Sequence, residues 1–150
     1  MAEVYIFSQR QFNKAMTDMG LNDNNIEQHD DIAIISICNS DGSMVHWFKE
    51  DHKNVMNLDF DDVEYDSKDN YAMTQDQAKQ IVDFYEQHIN VKYFIVHCEA
   101  GISRSAAVAT CFIDFLHSNG IRGHTLHENF SYCPNAHVVR LIHRELYRRN

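Results

Sequence analysis

The sequence predicts an α/β domain in which a mostly parallel central sheet is flanked by helices. Short β-branched, apolar runs alternate along the chain with segments whose apolar residues recur at helical spacing. Only five glycines and one proline interrupt the 150 residues, and no linker or repeat is visible. We therefore expect one domain, 1–150, that is long enough to bury a sizeable core.

The first third of the chain predicts a strand, a helix and a second strand. The run "EVYIFS" at 3–8 is typical of a short buried strand. The segment 8–20 places Phe12 and Met16 on one helical face and ends at Gly20, a residue suited to close a helix. The nearly continuous apolar run at 31–38 predicts a strand that is covered on both faces.

The middle of the chain predicts two further strands, at 44–50 and 55–60, and then an acidic loop at 61–73. The helix that follows, 74–89, has the clearest signal. Thr74 and Gln77 form a capping box, and the apolar residues after them keep helical spacing.

The last third predicts a strand at 91–96 followed by a helix at 105–120. The segment 121–133 is too short and irregular for another helix, and Pro134-Asn135 opens a final helix that runs to about Tyr147. Strands that alternate with helices in this way favour parallel pairing.

The bulk charge limits the partners. The formal net charge is −9 and the pI is about 5.4, which disfavours general binding to nucleic acid or to anionic membranes. The N-terminus has no basic, apolar leader, no window is apolar enough to cross a bilayer, and the four cysteines show no paired spacing. We expect a cytoplasmic protein with free thiols and no membrane partner.

The nine residues "HCEAGISRS" (97–105) carry the strongest functional signal. Cys98 follows a predicted strand and precedes a helix, the edge at which α/β sheets bind ligands. Gly101 allows a tight turn, so the backbone N–H groups of the loop can point inward as an anion site, and Arg104 can hold two phosphate oxygens. The same groups favour the thiolate of Cys98, while Ser105 can donate to the sulfur.

This string resembles the signature of the cysteine-dependent protein tyrosine phosphatases, most closely the dual-specificity branch, in a compact form. The resemblance covers about residues 54–118. It implies that Cys98 is the nucleophile, Arg104 the clamp and Ser105 the group that helps the thiolate leave. Phosphate oxygens would bind the loop N–H groups of Glu99, Ala100, Gly101, Ile102, Ser103 and Arg104. His97 is expected to face the interior and to orient the loop; no cofactor or metal is implied.

The resemblance also implies an aspartate that protonates the leaving group. Asp62 is the first carboxylate past the end of the predicted strand 55–60, and it completes an apolar-x-apolar-x-Asp pattern that is similar to the one before the family's acid. Asp66 is nearer the family's usual spacing to Cys98, and Asp61 is the third candidate. The chain lacks the proline that often lies near this acid in the family.

The predicted function is that of a phosphomonoester hydrolase that acts on phosphorylated protein or peptide. The loop contributes one acid, Glu99, and one base, Arg104, which favours singly phosphorylated groups such as phosphotyrosine over polyphosphorylated ones. A 5′-phosphorylated RNA or a small metabolite is the alternative substrate, and a non-catalytic phospho-residue binding module is the alternative class. Cys38 and Cys111 read as core residues, while His124, His127 and Cys133 have no recognised zinc spacing.

Overall fold

A five-stranded, all-parallel sheet lies at the centre of the computed structural model, which describes residues 1–128 and 132–149. Its strands are β1 (Ala2–Phe7), β2 (Ile32–Cys38), β3 (Val55–Asp59), β4 (Tyr93–His97) and β5 (His124–His127). The helices are α1 (Gln9–Met19), α2 (Gln75–Gln87), α3 (Arg104–Ser118) and α4 (Ala136–Arg148). The predicted fold class, a parallel sheet flanked by helices, is confirmed.

The strand order is β3-β2-β4-β1-β5, so β4 is the central strand and pairs with both β1 and β2. His97, the last residue of β4, is in register with Phe7 on one side and Ser36 on the other. Because all the strands run the same way, their carboxyl ends meet at one edge, and the loops after β1, β2, β3 and β4 converge there.

The two faces of the sheet are covered unequally. Helices α2, α3 and α4 pack against one face, and their apolar residues join those of the strands in the larger core cluster. On the other face, α1 contributes Phe12 and Met16 to a smaller cluster that includes Ile34, Phe48 and Ile95. β2 is buried along its whole length, as its continuous apolar run predicts.

Local capping fixes where the first two helices begin. Ser8 accepts a hydrogen bond from the backbone N–H of Gln11, whose side chain accepts one from the N–H of Ser8. Thr74 and Gln77 form the same reciprocal pair at the start of α2, as predicted. Such a box satisfies two of the N–H groups that a helix start leaves unpaired.

The predicted strand at 44–50 is wrong, since this segment is irregular. Its aromatic residues are taken up by the smaller cluster: Phe48 is fully buried, and the indole N–H of Trp47 donates to the Leu21 carbonyl at 2.9 Å. A short edge strand, β5, forms within the predicted irregular segment 121–133, of which residues 129–131 lie outside the described part. In the described residues, no helix combines the length and the apolar character needed to cross a bilayer.

Candidate active site

The 98–104 loop connects the end of β4 to the start of α3 and is fastened to the neighbouring strand. The N–H of Cys98 donates to the Phe7 carbonyl at 3.3 Å, and the Glu99 carbonyl accepts from the N–H of Gln9 at 3.1 Å. The first turn of the loop is thus held against the β1–α1 junction. The loop lies at the carboxyl edge of the sheet, where ligands of open α/β folds bind.

The thiol of Cys98 is only 2% exposed and lies at the base of the loop. The backbone N–H of Gly101 donates to its Sγ at 3.3 Å, and the Ser105 Oγ lies 3.1 Å from the same atom. Gly101 has a φ of 70°, a conformation that a side chain would strain, so glycine lets its N–H turn back toward the sulfur. When the sulfur is a thiolate, both groups must be donors, and they stabilise its negative charge.

Arg104 begins α3 and is 3% exposed. One terminal nitrogen, Nη1, donates to the Phe60 carbonyl at 2.7 Å, which ties the guanidinium to the end of β3. Its buried Nε has no hydrogen-bond partner among the described residues. A buried donor without a partner costs free energy. An anion bound at the loop would accept a hydrogen bond from this N–H and remove that cost.

The start of α3 also leaves donors for an anion. Ser103 is the N-cap residue, yet its side chain makes no capping bond to the helix. Its hydroxyl instead donates to Asp62. The first N–H groups of α3 therefore lack the usual side-chain acceptor, and they add to the positive end of the helix dipole.

Asp62 lies beside the loop and remains exposed to solvent. Its Oδ1 accepts a hydrogen bond from the Ser103 Oγ at 2.7 Å and another from the Asn135 Nδ2 at 2.8 Å. Both of these bonds fall on the same oxygen. The carboxylate is thus attached to the 98–104 loop on one side and to the start of α4 on the other.

The other two candidate acids have different surroundings. Asp61 is buried and accepts hydrogen bonds from the Ser40 N–H and hydroxyl and from the Tyr71 N–H. Burial acts to raise the pKa of Asp61, but the hydrogen bonds from Ser40 and Tyr71 outweigh it and hold the pKa below its ordinary value. Asp66 is exposed and accepts from the Ala72 N–H at 2.9 Å, within its own acidic loop.

His97 lies in the interior beneath the loop, where its ring stacks on Phe12. Its Nε2 lies 2.6 Å from the Ser36 Oγ, and its Nδ1 lies 3.4 Å from the Cys98 carbonyl oxygen. Burial lowers the pKa of His97 to about 4, so the ring is neutral at physiological pH. A neutral ring can orient the loop through a hydrogen bond to the Cys98 carbonyl when its Nδ1 carries the proton.

Two groups that belong to the site, Asn135 and the Phe60 carbonyl, were not predicted as site members from the sequence. Asn135 holds Asp62, while its own N–H donates to the Ser103 carbonyl at 3.1 Å and its side chain caps α4. The Phe60 carbonyl anchors Arg104. The Pro134-Asn135 pair marked the helix start correctly, but no pattern in the sequence places it against Asp62.

Groups of metal-ligand type also occur among the described residues, and one of them lies near the site. Near the site, the Cys38 Sγ faces Nδ1 of His46 at 3.4 Å, whereas the Asp59 carboxylate faces the opposite nitrogen, Nε2, at 2.7 Å. Both lengths are those of hydrogen bonds, and each bond uses a different ring nitrogen. We therefore assign these contacts as hydrogen bonds.

Comparisons with known proteins add no family assignment. A scan of the chain against protein-family models finds no match, and a search of curated proteins finds no relative. The geometry of the site and the resemblance of the 97–105 signature are therefore the features that point to a function.

Proposed function

We propose that this protein is a phosphomonoester hydrolase of the protein tyrosine or dual-specificity phosphatase type, acting through a cysteinyl-phosphate intermediate. The observation that carries the proposal is the joint placement of Cys98 and Arg104. The sulfur accepts a hydrogen bond from the Gly101 N–H and lies 3.1 Å from the Ser105 Oγ, while the Nε of the buried guanidinium has no hydrogen-bond partner in the described part of the chain. A nucleophile and an unpaired cationic donor at one loop suit a phosphoryl group better than a purely structural turn.

In the first step, the Cys98 thiolate attacks phosphorus and the bond to the ester oxygen breaks. Arg104 and the loop N–H groups bind the non-bridging oxygens, where charge is spread in the transition state. The leaving oxygen takes a proton from Asp62. The Ser103 and Asn135 bonds occupy Oδ1, so Oδ2 is the oxygen that would carry this proton.

In the second step, water attacks the phosphorus of the cysteinyl-phosphate, and the sulfur–phosphorus bond breaks. The Asp62 carboxylate takes a proton from the water, and inorganic phosphate is formed. The Ser105 hydroxyl donates to the sulfur as it regains its negative charge. The site thus returns to its starting state without any redox change or further reactant.

The substrate that fits best carries one phosphate on an aryl or peptide group. Glu99, the residue after the nucleophile, adds a negative charge to the loop, and this repels polyphosphorylated ligands. Ile102 is 40% exposed on the loop and offers apolar contact beside the phosphate. A phosphotyrosine side chain presents a ring to such a surface, and we infer phosphorylated protein as the substrate class.

The deciding experiment measures hydrolysis of p-nitrophenyl phosphate by the wild type, Cys98→Ser and Cys133→Ser. Cys133 is an exposed thiol whose backbone N–H donates to the Ile102 carbonyl of the loop at 2.8 Å, and it serves as the matched control. We expect Cys98→Ser to abolish turnover with the fold intact, Cys133→Ser to retain it, and vanadate to inhibit the wild type even with EDTA present. Turnover by Cys98→Ser would overturn the mechanism, and phosphopeptide binding without turnover by the wild type would favour a binding module.

A further inference from the structure

A chain of polar side chains leads from the surface to the base of the 98–104 loop, on the α1 side of the sheet. The Asp59 Oδ1 lies 2.7 Å from Nε2 of His46, whose Nδ1 lies 2.7 Å from the Ser36 Oγ. The same hydroxyl lies 2.6 Å from Nε2 of His97, and Nδ1 of His97 faces the Cys98 carbonyl at 3.4 Å. Four polar contacts in series thus join an exposed carboxylate to the backbone of the candidate nucleophile.

The acceptors at the two ends of this chain, the Asp59 carboxylate and the Cys98 carbonyl, limit which ring nitrogens of His46 and His97 can carry a proton. A carbonyl only accepts, so the Cys98 contact is a hydrogen bond only when Nδ1 of His97 carries the proton. In a neutral ring, Nε2 then accepts from the Ser36 hydroxyl, and the Ser36 oxygen must accept from Nδ1 of His46. Because Nε2 of His46 also donates to the Asp59 carboxylate, His46 carries protons on both nitrogens in this arrangement.

A neutral His46 requires the opposite arrangement. If its proton stays on Nε2 to meet Asp59, its Nδ1 becomes an acceptor for the Ser36 hydroxyl. Ser36 has one hydroxyl proton, so His97 must then donate to it from Nε2. Nδ1 of His97 is left without a proton and cannot donate to the Cys98 carbonyl.

We propose that His46 is a positioning residue whose protonation state sets the direction of this chain and thereby the tautomer of His97 at the Cys98 carbonyl. With His46 protonated, His97 donates to the loop; with His46 neutral, that bond is lost. The effect on catalysis rests on the proposed function, but the effect on the tautomer does not. His46 touches neither Cys98 nor Arg104 through a hydrogen bond and acts through Ser36 and His97.

The groups around the His46 side chain come from three strands. Ser36 and Cys38 face the ring from β2, Asp59 from β3 and His97 from β4. Burial, with a smaller contribution from the charge of Asp59, raises the pKa of Cys38 to about 11, so that thiol stays protonated near neutral pH. The charge of Arg104 acts on both Cys38 and His97 but does not change in this range.

Burial also lowers the pKa of His97 to about 4, so this ring stays neutral between pH 5 and pH 8. Any change at His97 in that range is therefore an exchange of tautomers rather than a gain of charge. His46 has partial access to solvent, with a side chain that is 17% exposed, and can exchange its proton.

The test is long-range 1H–15N NMR of the full chain with 15N-labelled histidines, which distinguishes protonated from bare ring nitrogens. As pH rises through the titration of His46, we expect the His97 proton to move from Nδ1 to Nε2 in step with it. His46→Leu leaves His97 as the ring acceptor for Ser36 and should hold the His97 proton on Nδ1 throughout.

His143→Leu is the matched control, because His143 also pairs with an exposed carboxylate, Asp114, at 2.9 Å, but lies on α4. It should leave the His97 signals unchanged. The proposal is overturned if the His97 tautomer is constant with pH in the wild type or if it still switches in His46→Leu. None of these readings needs phosphatase activity, so failure of the proposed function is separately visible in the p-nitrophenyl phosphate assay.

Discussion

The Ser103 hydroxyl donates to the Asp62 carboxylate across 2.7 Å, which joins the 98–104 loop directly to the acidic loop after β3. Asn135 reaches the same oxygen from the start of α4 at 2.8 Å. Two segments that are distant in sequence thus hold one exposed carboxylate of a third segment at the edge of the candidate phosphate site. By contrast, Asp61 accepts hydrogen bonds from the N–H groups of Ser40 and Tyr71. Asp66 accepts one from the N–H of Ala72.

Asp62→Asn is expected to slow hydrolysis of phosphotyrosine by roughly 10²–10⁴-fold, the usual contribution of a general acid. Hydrolysis of p-nitrophenyl phosphate should fall less, because p-nitrophenolate can leave without a proton. Steady-state rates on both substrates across pH measure the difference, and the basic limb of the profile should flatten. Asp66→Asn is the matched control; if it alone shows the leaving-group-dependent loss, the acid is Asp66.

Arg104→Lys keeps the positive charge but loses the planar fork that can bind two phosphate oxygens. We expect transition-state stabilisation to fall by about 2–4 kcal/mol, mostly in kcat. Because Arg104 also donates to the Phe60 carbonyl, thermal unfolding should be measured alongside to separate lost contact from lost fold. Near-native kcat in a folded lysine variant would mean that Arg104 does not bind the phosphoryl group.

Ser105→Ala removes the hydroxyl that lies 3.1 Å from the Cys98 sulfur. A hydrogen bond to a charged group contributes about 1.5–3 kcal/mol, so departure of the thiolate should slow by roughly 10–100-fold. The cysteinyl-phosphate would then accumulate, and stopped-flow measurement should show a burst of p-nitrophenol close to one per site. Ser105→Thr retains the hydroxyl and should restore turnover; a burst-free alanine variant with normal kcat would contradict the role.

His52 links two carboxylates, with Nε2 at 2.7 Å from Asp23 and Nδ1 at 2.8 Å from Glu27. These hydrogen bonds raise the pKa of His52 above its ordinary value of 6.5. The stabilisation is therefore fully present below about pH 6.5 and is lost as pH rises through the raised pKa.

Urea unfolding of the wild type and His52→Gln should consequently differ on the order of 1–3 kcal/mol at pH 6 and by less at pH 9. Lys53→Gln, which removes an exposed ion pair with Asp30, serves as the control and should have little effect at either pH. A gap for His52→Gln that widens with pH would contradict the assigned protonation.

Local signals in the sequence were enough for most of the elements and for the composition of the candidate loop. The capping box at Thr74 and Gln77 marked the start of α2, because its hydrogen bonds join residues only three apart. The continuous apolar run of β2 indicated a strand that is covered on both faces, and Gly101 indicated a positive φ in the loop. The sequence did not predict β5, because this four-residue edge strand is half-buried along its length and has no apolar run.

Contacts between distant segments decided the features that local sequence patterns did not predict. The aromatic residues at 47 and 48 look like part of a strand, but contacts with the Phe12 cluster fix them in irregular backbone. The sequence by itself determined the α/β class and placed Cys98, Arg104 and Ser105 at one strand–loop–helix junction, because their spacing and flanking periodicities are local. Only the tertiary structure separated the surroundings of Asp61, Asp62 and Asp66 and joined His46 to His97, because hydrogen bonds between residues tens of positions apart depend on strand order and register.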